Sequence, residues 1–257
     1  MNLAEILERF DQERRELEFP YASREATDCV VRHVDRYGCD SAVVFSSHRP
    51  EELYEGVAAE VAYFRQIGHD FEWKAYSHDQ PENLVERLRS LGFEVGPEEV
   101  VVVAEAECVL SQMEDPMCEV RHLSDAEDLD DYEAVRSKVW PEEDGARRMA
   151  HLAEQMRVSP ESVSVYVAYC DGIPVGSSRS SFHPASLFSG LWGGSVLPAY
   201  RRMGVYRSMI ARRAKDAVWR GVRYLQVDAL PTSLPILERL GFQRLSLTHP
   251  CVWRFRR

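Results

Sequence analysis

The 257-residue chain lacks any apolar run long enough to cross a bilayer, and its opening Met1-Asn2-Leu3-Ala4-Glu5 is acidic rather than signal-like. These absences argue against membrane and secreted classes and lead to the expectation of a cytoplasmic protein. The six cysteines, Cys29, Cys39, Cys108, Cys118, Cys170 and Cys251, form no C-x-x-C pair, and no histidine spacing completes a zinc pattern. Scattered reduced thiols and no metal are expected. There is no Gly-Lys-Ser/Thr loop and no G-x-G-x-x-G, so the usual magnesium-nucleotide and dinucleotide sites are excluded. Positive charge is in deficit as well: 31 Lys/Arg against 42 Asp/Glu leave −11, which disfavours a nucleic-acid partner.

What is present is an ordinary globular composition, 45% apolar and 28% charged, at a length that favours two domains. Charge divides unevenly. Residues 1–115 carry 11 Lys/Arg and 26 Asp/Glu (−15), and residues 116–257 carry 20 and 16 (+4). The polar, Pro-containing stretch Ser111–Met117 marks the change, so domains are expected over 1–115 and 116–257.

In the first half, Leu3, Ile6, Leu7, Phe10 and Leu17 share one face of a helix over 2–17. A second helix is predicted over 23–37, then a strand over 41–47. Pro50 and Pro81 each open a helix, with a strand over 71–76 between them and another over 100–103. In the second half, Ser124 and Glu127 have capping-box spacing. Helices are expected to about Val139 and over 143–157. Strands follow at 162–169, 174–181 and 188–197, then a long helix from Val205, a strand over 224–229, a short helix over 233–240 and a last strand over 252–255. Leu88-Arg-Ser-Leu-Gly-Phe93 and Leu237-Glu-Arg-Leu-Gly-Phe242 share L-x-x-L-G-F after the same order of elements, which favours a duplicated domain.

The chemically informative segment is Gly193-Gly-Ser-Val-Leu-Pro-Ala-Tyr-Arg201-Arg202-Met203-Gly204-Val205-Tyr206. A strand runs into a loop whose glycine permits a tight turn, then directly into a helix. The first helical N–H groups have no intrahelical partner and the dipole favours negative charge there. Arg201 and Arg202 reinforce it, so the corner suits a diphosphate. A plain β-α corner with exposed arginines is the alternative.

On these residues, 118–257 resembles the GNAT superfamily of acyl-CoA-dependent N-acyltransferases. Arg201-Arg202-Met203-Gly204-Val205-Tyr206 is similar to its R/Q-x-x-G-x-G/A loop except at the last position, and the preceding Val196–Tyr200 and the late Ile236–Phe242 agree with it. Residues 1–115 resemble a partial, degenerate copy in which His48-Arg49-Pro50-Glu51-Glu52 replaces the loop. The implied fold class is α/β with a mixed sheet, in two tandem GNAT-like domains. The resemblance further implies acetyl-CoA, or another acyl-CoA, as co-substrate. Val196 and Leu197 would meet the pantetheine arm between parting strands, and the amides from Arg202 to Tyr206 would hold the diphosphate. An N–H near Leu197 would polarise the thioester carbonyl, and an uncharged amine would attack directly without a metal.

The sequence departs from the family at three places. Tyr206 replaces a small residue, Leu237 stands where a proton-donating tyrosine is frequent, and Leu191–Ser195 offers no carboxylate. Asp228 is the substitute candidate for the base and Ser233 for a hydrogen bond to the sulfur. A surface carboxylate and a helix N-cap are their structural alternatives. Trp192, Phe182 and His183 read as core aromatics before acceptor groups, and His249-Pro250 as a loop. The expected function is N-acetyl transfer to a primary amine of a small molecule, by a monomer or homodimer. The alternatives are a catalytically degenerate acyl-CoA-binding regulatory module and a structural role.

Overall fold

The computed structural model describes residues 1–113, 117–141 and 145–255. In chain order the elements are α1 (Leu3–Glu16), β1 (Ala22–Ala26), β2 (Val30–Asp35), β3 (Ala42–Ser46), α2 (Leu53–Ile67), β4 (Phe71–Tyr76), α3 (Leu84–Ser90), β5 (Glu94–Val95), β6 (Glu99–Glu105) and α4 (Ala106–Ser111). The chain goes on through β7 (Glu119–Leu123), α5 (Asp130–Val139), α6 (Gly145–Val158), β8 (Val163–Cys170), β9 (Ile173–Ser181) and β10 (Phe188–Val196). It ends with α7 (Val205–Trp219), β11 (Tyr224–Ala229), α8 (Leu234–Arg239) and β12 (Gln243–Trp253).

Two compact units result, and they are not the linear halves. Unit 1 is Met1–Val101 with Asp228–Pro231 and Arg244–Arg257; unit 2 is Val102–Val227 with Thr232–Gln243. The C-terminal strand explains the difference. β12 pairs antiparallel with β4, from Thr248↔Tyr76 to Trp253↔Phe71, and so belongs with unit 1. The expected short last strand is eleven residues long, and His249 and Pro250 lie in it rather than in a loop.

Unit 1 has the strand order β1-β2-β3-β4-β12, with β5 on β12. Its core is Val43, Leu53, Phe64, Phe71, Trp73, Leu88, Phe93 and Cys251, all buried, and Phe64 stacks on Phe71 at 4.1 Å. The helix predicted over 23–37 is instead the β1–β2 hairpin. Thr27 closes its turn: the N–H donates to the Val30 carbonyl at 2.8 Å, and Oγ1 accepts the Val30 N–H at 3.0 Å. A side-chain oxygen that captures local amides favours a turn over helix, and Val30, Val31 and Val34 favour strand.

Unit 2 has the order β11-β10-β9-β8-β7. Helices α5 and α6 cover one side through Leu129, Tyr132, Leu152 and Met156, packed on Val163, Val165 and Val167. α7 contributes Val205 and Met209 to a second cluster with Ala168 and Val175. Along β8, Val165 and Val167 thus go to one cluster and Ala168 to the other, as two-residue alternation requires. Ser124 precedes a 3-10 turn (Ala126–Asp128), and the side chain of Glu127 lies outside the described residues, as does 114–116 of the linker.

The repeated hexapeptide has one geometry in both places. Phe93 N–H donates to Leu88 O, and Phe242 N–H to Leu237 O, each at 3.1 Å. Gly92 and Gly241 sit at φ 91° and 85°. This six-to-one closure with a left-handed glycine ends the helix and buries the leading leucine, since Leu88 and Leu237 are both fully buried.

Candidate active site

In unit 2, β10 and β11 run parallel only from Phe188↔Tyr224 to Gly190↔Gln226. Beyond that point each continues without pairing with the other, so the strands part. On its other edge β10 pairs with β9, and the register slips between Trp192↔Arg179 and Ser195↔Ser177. Gly193 and Gly194 occupy the slip, a bulge that interrupts the ladder. A side chain at Gly194 would come 2.8 Å from the Tyr206 ring, so glycine is required there by space.

After a 3-10 turn (Pro198–Tyr200), residues 201–204 lead into α7. Gly204 has φ 77° and Arg202 φ 65°, left-handed values that strain a residue with a side chain. The turn is pinned from inside the helix. Ser208 N–H and Oγ donate to the Gly204 carbonyl at 3.0 and 3.3 Å, and Ser208 Oγ accepts the Met117 N–H at 3.1 Å. Arg201, Arg202 and Met203 are exposed, whereas Val205 at the start of the 15-residue helix is buried and Met117 lies against Gly204, 2.7 Å from the point a Cβ would occupy. In unit 1, α2 begins instead after Glu51 and Glu52, with Arg49 paired to Glu52 and the His48 ring lodged against Gly56. Acids at that helix start repel an anion.

The predicted residues fare unequally. Val196, Arg201, Arg202, Met203, Gly204, Val205 and Tyr206 lie along one strand end, turn and helix start, with Arg201 Nε donating to Val196 O at 3.3 Å. Leu197 N–H donates to Val175 O at 2.9 Å. It is already spent in the sheet and is not available as the expected carbonyl-polarising donor. Ser233 makes no capping bond at α8; its hydroxyl meets the Tyr206 hydroxyl. Leu237 is fully buried and Phe182 is buried under Arg220. Trp192 Nε1 donates to Ser181 Oγ at 2.8 Å, and His183 Nδ1 accepts the Ala185 N–H at 3.1 Å, so both are tied locally.

Asp228 falls in unit 1, where its carboxylate lies 2.5 Å from Lys74 Nζ and is only 5% exposed. Glu72 and Glu99 stand 3.6 and 4.0 Å from the same ammonium. Burial works against that charge, yet Asp228 and Glu72 hold Lys74 well above the usual lysine range. Burial, with Asp228 and Glu72 adding to it against Lys74, pushes the Glu99 carboxyl up to about 7. The base candidate Asp228 is therefore neither a surface nor a capping carboxylate but is paired with a buried cation.

Two residues near the bulge escaped the sequence reading. A side chain at Gly193 would come 3.6 Å from Tyr132 Oη, and one at Gly194 would come 3.8 Å from a terminal nitrogen of Arg213. Arg213 is buried at 1% exposure. The signal was available: Arg213 stands four residues after Met209 and four before Ala217, a cation on an apolar stripe.

Unit 2 thus has parallel strands that part ahead of a glycine-hinged helix start, as the resemblance to GNAT proteins implies. Comparison with known proteins agrees. Residues 111–231 match the family model described as an acetyltransferase (GNAT) domain. An aminoglycoside N(6')-acetyltransferase type 1 of Salmonella typhimurium is 26% identical over 129 residues, covering 45% of this chain and 85% of that protein. Among solved structures, a GCN5-related N-acetyltransferase from Kribbella flavida superposes over 97% of this chain and 95% of its own, with TM-score 0.69 and 14% identity. A tandem GNAT protein from the clavulanic acid biosynthesis pathway covers 96% of this chain and 88% of its own, with TM-score 0.55 and 13% identity. Residues 111–231 therefore match a GNAT acetyltransferase domain, and the whole chain has the fold of solved GNAT proteins, a tandem one among them.

Proposed function

We propose that this chain transfers an acetyl group from acetyl-CoA to a primary amine of a small molecule. The observation that carries the proposal is the parting of β10 from β11 on the strand that leads into the left-handed turn at 202–204 and the start of α7. The site fits the co-substrate by that geometry. Amides from Arg202 to Tyr206 suit the diphosphate and Val196 suits the pantetheine arm. With Leu197 N–H engaged, the thioester carbonyl is assigned to the interrupted ladder at Gly193-Gly194, where backbone donors are released from the sheet.

Catalysis here is positioning plus charge stabilisation. The neutral amine attacks the thioester carbonyl carbon, and the amine's proton is assigned to water, because Asp228 is paired with Lys74. Ser233 is assigned a hydrogen-bonding role at the leaving sulfur, through the hydroxyl of Tyr206 that it meets. No metal is required by this chemistry. Among the described residues no helix is long and apolar enough to cross a membrane. The named aminoglycoside-acetylating relative makes aminoglycosides the first acceptors to try.

The decisive experiment pairs acetyl-CoA binding with thiol release. Acetyl-CoA is expected to raise the melting temperature, and some member of a primary-amine panel to release free CoA thiol. Gly204→Asp, which puts a carboxylate and a strained φ at the diphosphate position, is expected to abolish both. No shift at millimolar acetyl-CoA overturns the proposal. Binding without thiol release from any amine favours a regulatory acyl-CoA-binding module, a reading supported by Leu237 and by a β10 without carboxylate.

A further inference from the structure

Two of the six cysteines face each other across a pair of strands. β7 and β8 pair antiparallel from Glu119↔Tyr169 to Leu123↔Val165. One step further along the same register sets Cys118 opposite Cys170, and the two thiols are in hydrogen-bonding contact. Directly opposed residues of an antiparallel pair have Cα atoms about 4.5–5.5 Å apart, inside the roughly 4.4–6.8 Å that a disulfide spans. Both thiols are free and both side chains are half-buried, so neither is sealed in the core. Packing alone does not call for sulfur here. Valine occupies the neighbouring positions 120, 175 and 196 of the same cluster, as strands favour.

The pair adjoins the turn at the start of α7. Cys118 follows Met117, whose side chain lies 2.7 Å from the point a Cβ on Gly204 would occupy. Met117 N–H donates to Ser208 Oγ at 3.1 Å, and Ser208 in turn holds the Gly204 carbonyl through its N–H at 3.0 Å and its hydroxyl at 3.3 Å. The same hydroxyl meets the Cys118 sulfur. Val205 and Met209 of α7 share a cluster with both cysteines. A sulfur that moves at position 118 therefore acts on the residue that pins the turn.

We propose that Cys118 and Cys170 are a dithiol site for a small disulfide, and that their closure to a cross-strand disulfide loosens the turn at 202–204 and weakens acetyl-CoA binding. The second part rests on the acetyl-transfer reading above. One cysteine, as thiolate, attacks a sulfur of the small disulfide. The S–S bond of that molecule breaks, and the first small thiolate leaves with the electron pair. The other cysteine thiolate attacks the protein sulfur of the mixed disulfide, forms the Cys118–Cys170 bond and expels the second small thiolate. The two protons shed by the cysteines go to the two departing thiolates. The protein pair is oxidised by two electrons, and the small disulfide is reduced to two thiols. Closure brings the Cys118 sulfur to about 2.05 Å from its partner and draws it, with Met117, away from Ser208.

The test incubates the full chain with millimolar oxidised glutathione, alkylates the remaining thiols and maps the peptides by mass spectrometry. A link between the peptides carrying Cys118 and Cys170 is expected, reversed by dithiothreitol. Acetyl-CoA binding is measured by calorimetry on the reduced, oxidised and re-reduced protein. Oxidation is expected to raise Kd about tenfold, the weight of about one hydrogen bond lost from the turn, and reduction to restore it. Cys170→Ala, which leaves Cys118 beside Ser208, is expected to keep the Kd of the reduced wild type within about twofold and to form no internal link. Thiols at 118 and 170 that stay free, a link formed with other cysteines instead, or a 118–170 link that leaves Kd unchanged overturns the proposal while leaving acetyl transfer intact. A reduced wild-type protein that binds no acetyl-CoA overturns both the acetyl-transfer reading and the coupling.

Discussion

Replacing Arg213 by methionine should leave the protein at least as stable as before. Methionine keeps the length and apolar stem of the arginine and discards the charge. The direct losses are the Nε–H bond to Met209 O at 3.2 Å and the contact with the Tyr206 hydroxyl, together about 1 kcal/mol, and the Met209 carbonyl still accepts the backbone N–H of residue 213 within the helix. Tyr166 keeps Asp216 and Tyr206 keeps Ser233, so neither phenol is stranded. Against this stands the relief of desolvating an unpaired guanidinium. Exchanges of buried ionic groups for apolar ones of similar volume stabilise by about 1–4 kcal/mol. The net expectation is a gain of about 0–3 kcal/mol, or roughly 0–12 °C in melting temperature at 2–4 °C per kcal/mol. Urea unfolding should show a higher midpoint with an unchanged slope. A destabilisation of about 3 kcal/mol or more would refute the reasoning, because the guanidinium would then be held by interactions that outweigh its burial.

Glu99 supplies a pH test. Its carboxyl rises from an ordinary 4.5 to about 7, so the folded protein retains a proton that the unfolded chain has released. Stability therefore falls as pH rises from 4.5 to 7 and is level above. The difference, 7 − 4.5 = 2.5, corresponds to an upper limit of about 3 kcal/mol. Glu99→Gln should be more stable than wild type at pH 8 by about 2–3 kcal/mol and nearly equal at pH 4, as read by denaturant titration; equal stability at pH 8 would contradict it. Lys74→Met should cost about 3–5 kcal/mol by leaving Asp228 buried beside two further carboxylates without their cation. Adding Asp228→Asn should restore a large part of that loss; simple additivity of the two changes would show that the pair is not coupled.

The sequence carried the architecture where local chemistry and tertiary packing agree. Gly204 and the two L-x-x-L-G-F exits were readable because only glycine relieves the left-handed angles at 204, 92 and 241. The 23–37 segment was misread because its alanine and charged residues suit a helix, whereas Thr27 and the strands beside it settle a hairpin. β12 was truncated at Pro250, since a proline without an N–H reads as a stop although β4 accepts it opposite Lys74. In the site, the turn was legible as a motif. The availability of Leu197 N–H was not, because its bond to Val175 depends on pairing with a distant strand. Nor was the partner of Asp228, since Lys74 lies more than a hundred residues away in the chain and no local pattern links the two.

A crystal structure of the protein with acetyl-CoA tests the central claim most directly. The diphosphate is expected within about 2.7–3.2 Å of backbone N–H groups between Arg202 and Tyr206, with the thioester over Gly193-Gly194. Co-substrate bound elsewhere, with α7 making no contact to phosphate, would contradict the account.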